Sequence, residues 1–219
     1  MEKKSDLIHD ANIAIFKFFN ELLGKPEFDP VMIISDKIGS HQLFYYYFIS
    51  AFVIASFTIY INRNNIDTAK ELVISWVTAA ITLLSSLIIG YIIITLIKNY
   101  TNISRPFCSM EDIYILPMIT DMLDCKMSFP SGHVSFLTIM IVSFWSLFNY
   151  QFKILSIFLL IVVAITRMTS GSHYPMDLFG AVVIMLPLTA YIHHKVAHYI
   201  LHCEGKYDAF NKVHSRLKK

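Results

Sequence analysis

The sequence predicts an all-α integral membrane protein, a bundle of five to six transmembrane helices with an N-terminal amphipathic helix. Two observations carry this. Of 219 residues, 55% are hydrophobic and 16% charged, whereas soluble domains carry about a quarter charged residues. The apolar residues also gather into long continuous runs rather than alternating, which is the pattern of buried or lipid-facing helices. The length suits one compact domain of several spans, and no soluble second domain is visible. A net charge of +2 is too small to suggest nucleic acid as a partner.

The first 40 residues differ from the rest. Ile8, Ala11, Ile15, Phe19 and Leu22 recur every three or four positions, interrupted by Asp10, Asn12, Lys17, Asn20 and Glu21. This predicts an amphipathic helix lying on the bilayer, with a sixth helix packed in the bundle as the alternative. "GKPEFDP" (24–30) ends it with turn residues. Residues 1–11 begin basic but lack the pattern of a cleavable signal peptide, so the first true span is expected to direct insertion. Five apolar runs follow: Leu43–Ile61, Leu72–Ile97, Val134–Phe148, Phe152–Thr166 and Leu178–Ile192, the last containing Pro187. The expected organisation is a 1–40 amphipathic segment, a 41–202 transmembrane domain and a 203–219 basic cytoplasmic tail.

Basic residues set the orientation. Lys195, Lys206, Lys212, Arg216, Lys218 and Lys219 follow the last run and argue for a cytoplasmic C-terminus. Counting back puts 62–71 and the turn near 149–153 inside, and 98–133 and 167–177 outside. Loop 98–133 also holds Glu111, Asp112, Asp121 and Asp124, though acidic residues say little about topology.

Polar groups converge on the outer ends of these runs. Lys98 closes the second, and Arg105-Pro106 follows it. Ser131-Gly132-His133 opens the third, Arg167 closes the fourth, and His173 and Asp177 precede the fifth. Each is ordinary alone, as a snorkelling anchor, headgroup contact or turn residue; together they mark a site. Two arginines and a lysine can hold a dianion. Ser131 offers a hydroxyl, and the N–H groups around Gly132 open a helix, which favours anions. If 173–177 is helical, His173 and Asp177 share a face, and the carboxylate can keep one ring nitrogen protonated while the other attacks phosphorus. His133 can supply the proton the leaving oxygen needs. Nothing in this set requires a metal or other cofactor.

"KNYTNISRP" (98–106), "PSGH" (130–133) and "TRMTSGSHYPMD" (166–177) resemble the three signature motifs of the type 2 phosphatidic acid phosphatase (PAP2) superfamily, Lys-x6-Arg-Pro, Pro-Ser-Gly-His and Ser-Arg-x5-His-x3-Asp. Order and spacing agree; Thr166 replaces the usual serine and keeps a hydroxyl. The resemblance covers about residues 70 to 195 and points to bacterial membrane lipid phosphatases. It implies His173 as nucleophile through a phosphohistidine, Asp177 as its orienting partner and His133 as general acid. Lys98, Arg105, Ser131, Gly132 and Arg167 would bind phosphate oxygens, without a metal, and vanadate should mimic the transition state. The implied substrate is a lipid phosphate monoester or pyrophosphate: a lipid A phosphate, undecaprenyl pyrophosphate or phosphatidylglycerophosphate. The implied location is the bacterial inner membrane, with the site facing the periplasm or cell exterior. A phosphotransferase using the same phosphohistidine, and a non-catalytic lipid binder or flippase, are the alternatives.

Other features read more blandly. His194, His198 and His202 recur every four residues beside Cys203; a wet interfacial face is expected, with a metal site as the alternative. Cys108 and Cys125 share the outer loop, which leaves a disulfide open in an oxidising compartment. The "FYYY" at 44–47 reads as an aromatic belt or, more sharply, a lipid-chain contact. Oligomeric state is not legible.

Overall fold

The computed structural model describes residues 2–40, 43–117 and 124–217, with side chains placed for 7–40, 43–117 and 124–205. Asp121 and most side chains of the basic tail, from Lys206 onward, lie outside these. Among the described residues all regular structure is helical: α1 (Glu2–Leu23), α2 (Asp29–Gly39), α3 (Phe44–Ile61), α4 (Ile66–Thr101), the short α5 (Pro106–Ser109), α6 (Gly132–Phe144), α7 (Tyr150–Thr169) and α8 (Pro175–Leu217). A 3₁₀ turn, Pro26–Phe28, links α1 to α2. The helices α3, α4, α7 and α8 contain stretches long and apolar enough to cross a membrane. The fifth apolar run, α6, has 13 residues, roughly 20 Å at 1.5 Å per residue and shorter than a hydrocarbon core of about 30 Å.

That shortness follows from where α6 lies. It packs on α4, α7 and α8. Val134 and Ser135 are fully buried, and Phe136, Leu137, Thr138, Ile139, Ile141 and Ser143 are also buried. A helix enclosed by protein need not match the bilayer thickness. Its first turn can therefore begin below the ends of its neighbours, where the site forms. Leu83 of α4, Ile139 of α6 and Met185 of α8 make one core cluster. Phe16 of α1, Val134 of α6, Val163 of α7 and Ala181 of α8 contribute to another.

The N-terminal segment forms two helices, and both pack on the bundle. Phe16 is fully buried, as a hydrophobic stripe at helical spacing allows. Asn20, one of the polar interruptions in that stripe, is buried. Its amide donates to the carbonyls of Tyr114 and Thr169, both at 2.9 Å, and accepts from the Tyr114 N–H at 2.8 Å. A buried polar side chain is tolerated here because its bonds are met. The second helix, α2, is held to α7 by the Ser35 and Thr166 hydroxyls, 2.5 Å apart. Gly39 ends α2 so close to α6 and α7 that an added Cβ would meet His133 at 3.1 Å and Val163 at 3.2 Å.

Two features extend the sequence reading. The helix that carries the Leu178–Ile192 run continues to Leu217, because polar residues end a hydropathic run without ending a helix. The disulfide left open by the sequence is present: Cys108 and Cys125 are joined, with Cα atoms 5.5 Å apart. Among the described residues no group of His, Cys, Asp or Glu is arranged to hold a metal, His194, His198 and His202 included.

Replacing Asn20 with leucine strands the Tyr114 and Thr169 groups in the interior. At about 1–3 kcal/mol for each buried group left unpaired, Asn20→Leu should clearly lower the unfolding midpoint in detergent micelles. Circular dichroism at low temperature should show helix content unchanged.

Candidate active site

The site forms where α4, α6, α7 and α8 end or begin on one side of the bundle. Arg105 lies between α4 and α5 and is buried. Its Nε donates to the Asp124 carbonyl at 2.9 Å, its Nη1 to the Ser172 carbonyl at 3.1 Å and its Nη2 to the Met127 carbonyl at 3.4 Å. The Arg105 N–H donates to the Cys125 carbonyl at 2.8 Å. Lys98, in the last turn of α4, donates to the Met127 carbonyl at 2.5 Å. The disulfide-stapled loop and the residues that follow it thus supply neutral carbonyls to two cations, and the Asp124 and Asp177 carboxylates add favourable charge near Arg105.

The His173 ring is oriented from both edges. Its Nε2 lies 3.1 Å from Arg105 Nη1, and a guanidinium can only donate. Nε2 therefore carries the lone pair and Nδ1 the proton. Nδ1 lies 3.3 Å from Asp177 Oδ2. That oxygen also accepts from the Ser128 hydroxyl at 2.5 Å and from the Tyr174 N–H at 2.9 Å. His173 and Asp177 do not share a helical face: His173 precedes α8, and Asp177 stands in its first turn. Their contact arises from a helix-start turn in which the carboxylate accepts the Tyr174 N–H, as a capping carboxylate does. Burial holds the His173 imidazole well below its ordinary pKa, and Arg105, Arg167, Lys98 and His133 push the same way.

Across the site, His133 Nε2 lies 3.1 Å from Asp36 Oδ1 of α2. Arg167 Nη1 bonds the same oxygen. Burial alone would raise the Asp36 pKa, but the His133 contact and the Arg167 charge outweigh it and hold the carboxyl below its usual value. Arg167 Nε and Ser131 Oγ are buried with no partner among the described residues. The Ser131 N–H donates to the Asp177 carbonyl at 3.0 Å, tying the start of α6 to the start of α8.

A cleft of about 760 Å³ joins these groups. Six of the eight residues singled out from the sequence line it: Lys98, Arg105, Gly132, His133, Arg167 and His173. Ser131 is buried beside Gly132, and Asp177 stands behind His173. An added Cβ at Gly132 would meet nothing within 4 Å, so its missing side chain is open space in the cleft. The cleft continues between α3, α4 and α6 past Phe44, Tyr45, Leu87, Tyr91, Phe136 and Ile139. Two of the four FYYY aromatics, Phe44 and Tyr45, thus line it. Sequence reasoning missed Ser128 and Asp36. Ser128 stands two residues before the Pro-Ser-Gly-His motif, where a search for polar neighbours could have found it. Asp36 lies in an amphipathic segment where an acidic residue reads as a solvated face.

The family model described as the PAP2 superfamily matches residues 79–199. Comparison with curated proteins finds no match. Two crystal structures are similar. LpxE of Aquifex aeolicus shares 18% identity with a TM-score of 0.65, the match covering 84% of this chain and 95% of that one. A transmembrane PAP2-type phosphatidylglycerolphosphate phosphatase from Bacillus subtilis shares 18% identity with a TM-score of 0.55, covering 88% of this chain and 86% of that one. At this identity the two structures bear on the fold.

Nitrogen-15 spectra of the labelled protein in micelles should show His173 as the neutral Nδ1–H tautomer. Because burial lowers its pKa, the neutral form should persist as pH falls through about 6.5, the ordinary histidine value. An imidazolium spectrum at pH 6 would refute the assignment.

Proposed function

Because the chain belongs to the PAP2 superfamily, we propose that it is a phosphatase that hydrolyses the phosphate monoester or pyrophosphate of a membrane lipid through a phosphohistidine. The observation that carries this is the pairing of unmatched donors with a directed lone pair. Ser131 Oγ and Arg167 Nε are buried without partners, beside the cations Lys98 and Arg105 and the free edge of the α6 N-terminus. Phosphate oxygens satisfy such donors, and an anion suits the cluster of three cations.

His173 Nε2 attacks phosphorus in line with the leaving oxygen, and Arg105 Nη1 moves from the ring onto a phosphoryl oxygen. As the N–P bond forms and the P–O bond breaks, His133 gives its proton to the departing oxygen. Asp177 holds Nδ1–H and stabilises the positive ring that results. Lys98, Arg105, Arg167, Ser131 and the Gly132 N–H groups carry the growing charge on the phosphoryl oxygens. Water, deprotonated by the now neutral His133, then attacks phosphorus and frees His173.

The lipid nature of the substrate is supported by the apolar arm of the cleft, which runs from the cations to Phe44, Tyr45, Leu87 and Tyr91. A headgroup phosphate could sit on the cations with its chain between α3 and α4. Lipid A phosphates, undecaprenyl pyrophosphate and phosphatidylglycerophosphate all have this form. We place the protein in the bacterial inner membrane with this site on the periplasmic or outer side, from the basic residues that follow the last span.

Phosphate release from these three lipids and phosphatidic acid, in micelles containing EDTA, tests the reading. Release should persist in EDTA, and His173→Ala should lower it by at least about 10³-fold, as loss of a nucleophile does elsewhere. No release from any lipid by folded protein would overturn hydrolysis, and release only with an added acceptor lipid would make the chain a transferase. Gly132→Val, which places two methyl groups in the cradle, should weaken vanadate inhibition at least about tenfold with the unfolding midpoint unchanged. Unaltered inhibition would remove Gly132 from the phosphate site.

A further inference from the structure

Asp36 is assigned no part in the chemistry above, yet it touches two of the groups that perform it. One carboxylate oxygen bonds Arg167 Nη1 and lies 3.1 Å from His133 Nε2. Asp36 does not line the cleft, whereas both of its partners do. It therefore approaches them from behind, leaving the space between the cations clear.

The helix that carries it is firmly seated. Ser35, the preceding residue, is buried and shares a 2.5 Å hydrogen bond with Thr166. Met32 is buried one turn earlier. Gly39 abuts His133 and Val163 more closely than a larger residue would allow. Tyr114 of the outer loop donates to Asp29 at the start of α2, at 2.5 Å. A segment anchored at both ends and in its middle is a fixed support rather than a lid.

The charges around His133 show why a carboxylate is needed. Arg167 of α7 shares Asp36 Oδ1 with His133, and Lys98 of α4, Arg105 and His173 line the same cleft; neighbouring cations disfavour a second proton on an imidazole. Asp177, at the start of α8, is engaged by His173, Ser128 and Tyr174. Among the described residues Asp36 is the carboxylate within ion-pair distance of His133. We propose that Asp36 is a positioning residue that holds His133 and Arg167 in place for the phosphate and keeps on His133 the proton given to the leaving oxygen. This rests on the phosphatase reading. The site then contains two histidine–carboxylate pairs with opposite tasks: Asp177 orients a neutral ring for attack, and Asp36 retains a proton for departure.

The test compares full-length wild type, Asp36→Asn and Asp36→Glu in micelles across pH 5 to 9, with His173→Ala as the inactive reference. In Asp36→Asn the alkaline limb of kcat should move toward acid by about one pH unit, the lower end of the effect of a close opposite charge. Turnover at pH 8 should fall about tenfold and approach wild type near pH 5.5. Asp36→Glu, which keeps the charge, should return the limb toward wild type. A loss equal at every pH would make the contact merely structural. A rise in kcat/KM would make Asp36 an occluding group, and superimposed profiles would leave it without a role; each overturns the proposal. A second readout does not need turnover: the His133 ring titration by NMR, identified by its absence in His133→Gln. Its midpoint should fall in Asp36→Asn, and an unchanged midpoint overturns the proposal. Wild-type protein that releases no phosphate would instead defeat the phosphatase reading, while the NMR result would still decide the Asp36–His133 coupling.

Discussion

Arg105 is 6% exposed, and taking an ion that far from water costs several kcal/mol unless its donors are met. They are met mainly by backbone carbonyls, from Asp124, Met127 and Ser172. Carbonyls satisfy hydrogen bonds but cancel no charge. With Lys98 likewise turned to a carbonyl, both cations are held by neutral partners at the cleft they line, while their carboxylate neighbours act on them through space. The same guanidinium donates to His173 and so fixes which ring nitrogen bears the lone pair. Loop path, ring tautomer and electrostatic readiness thus depend on one buried cation.

The burial of α6 sets the depth at which this happens. A helix covered by protein can be short, and Gly132 opens it inside the bundle rather than at the surface. Donors held there act in a medium less polar than water, where each hydrogen bond to a developing negative charge is stronger. The apolar walls supplied by α3 and α4 extend the same recess toward the lipid.

Much of this was legible in the sequence. The five apolar runs became α3, α4, α6, α7 and α8, because continuous hydropathy is what a membrane or a bundle interior demands. The eight motif residues could be placed on one side because each stands at the end of such a run. What was hidden depends on contacts between distant stretches of chain. Asp36 and Arg167 are 131 positions apart, and nothing in an amphipathic pattern distinguishes an acid facing water from one facing a histidine. Asn20 looked like a break in an apolar stripe and is instead a buried bracket for two carbonyls and an N–H. The His173–Asp177 pair was foreseen with a different geometry: four-residue spacing suggests a helical face, but the chain makes a turn there. The disulfide needed the fold to bring Cys108 and Cys125 together.

The hydrogen bond from the Ser131 N–H to the Asp177 carbonyl has a bearing on biosynthesis. It ties the opening of α6 to a residue of α8, which leaves the ribosome after α4, α6 and α7. Until that helix is inserted, the cations of α4 and α7 have neither the second imidazole nor its carboxylate beside them. A nascent chain halted after α7 therefore holds only part of this constellation, and the two histidines and their carboxylates come together only when α8 has docked.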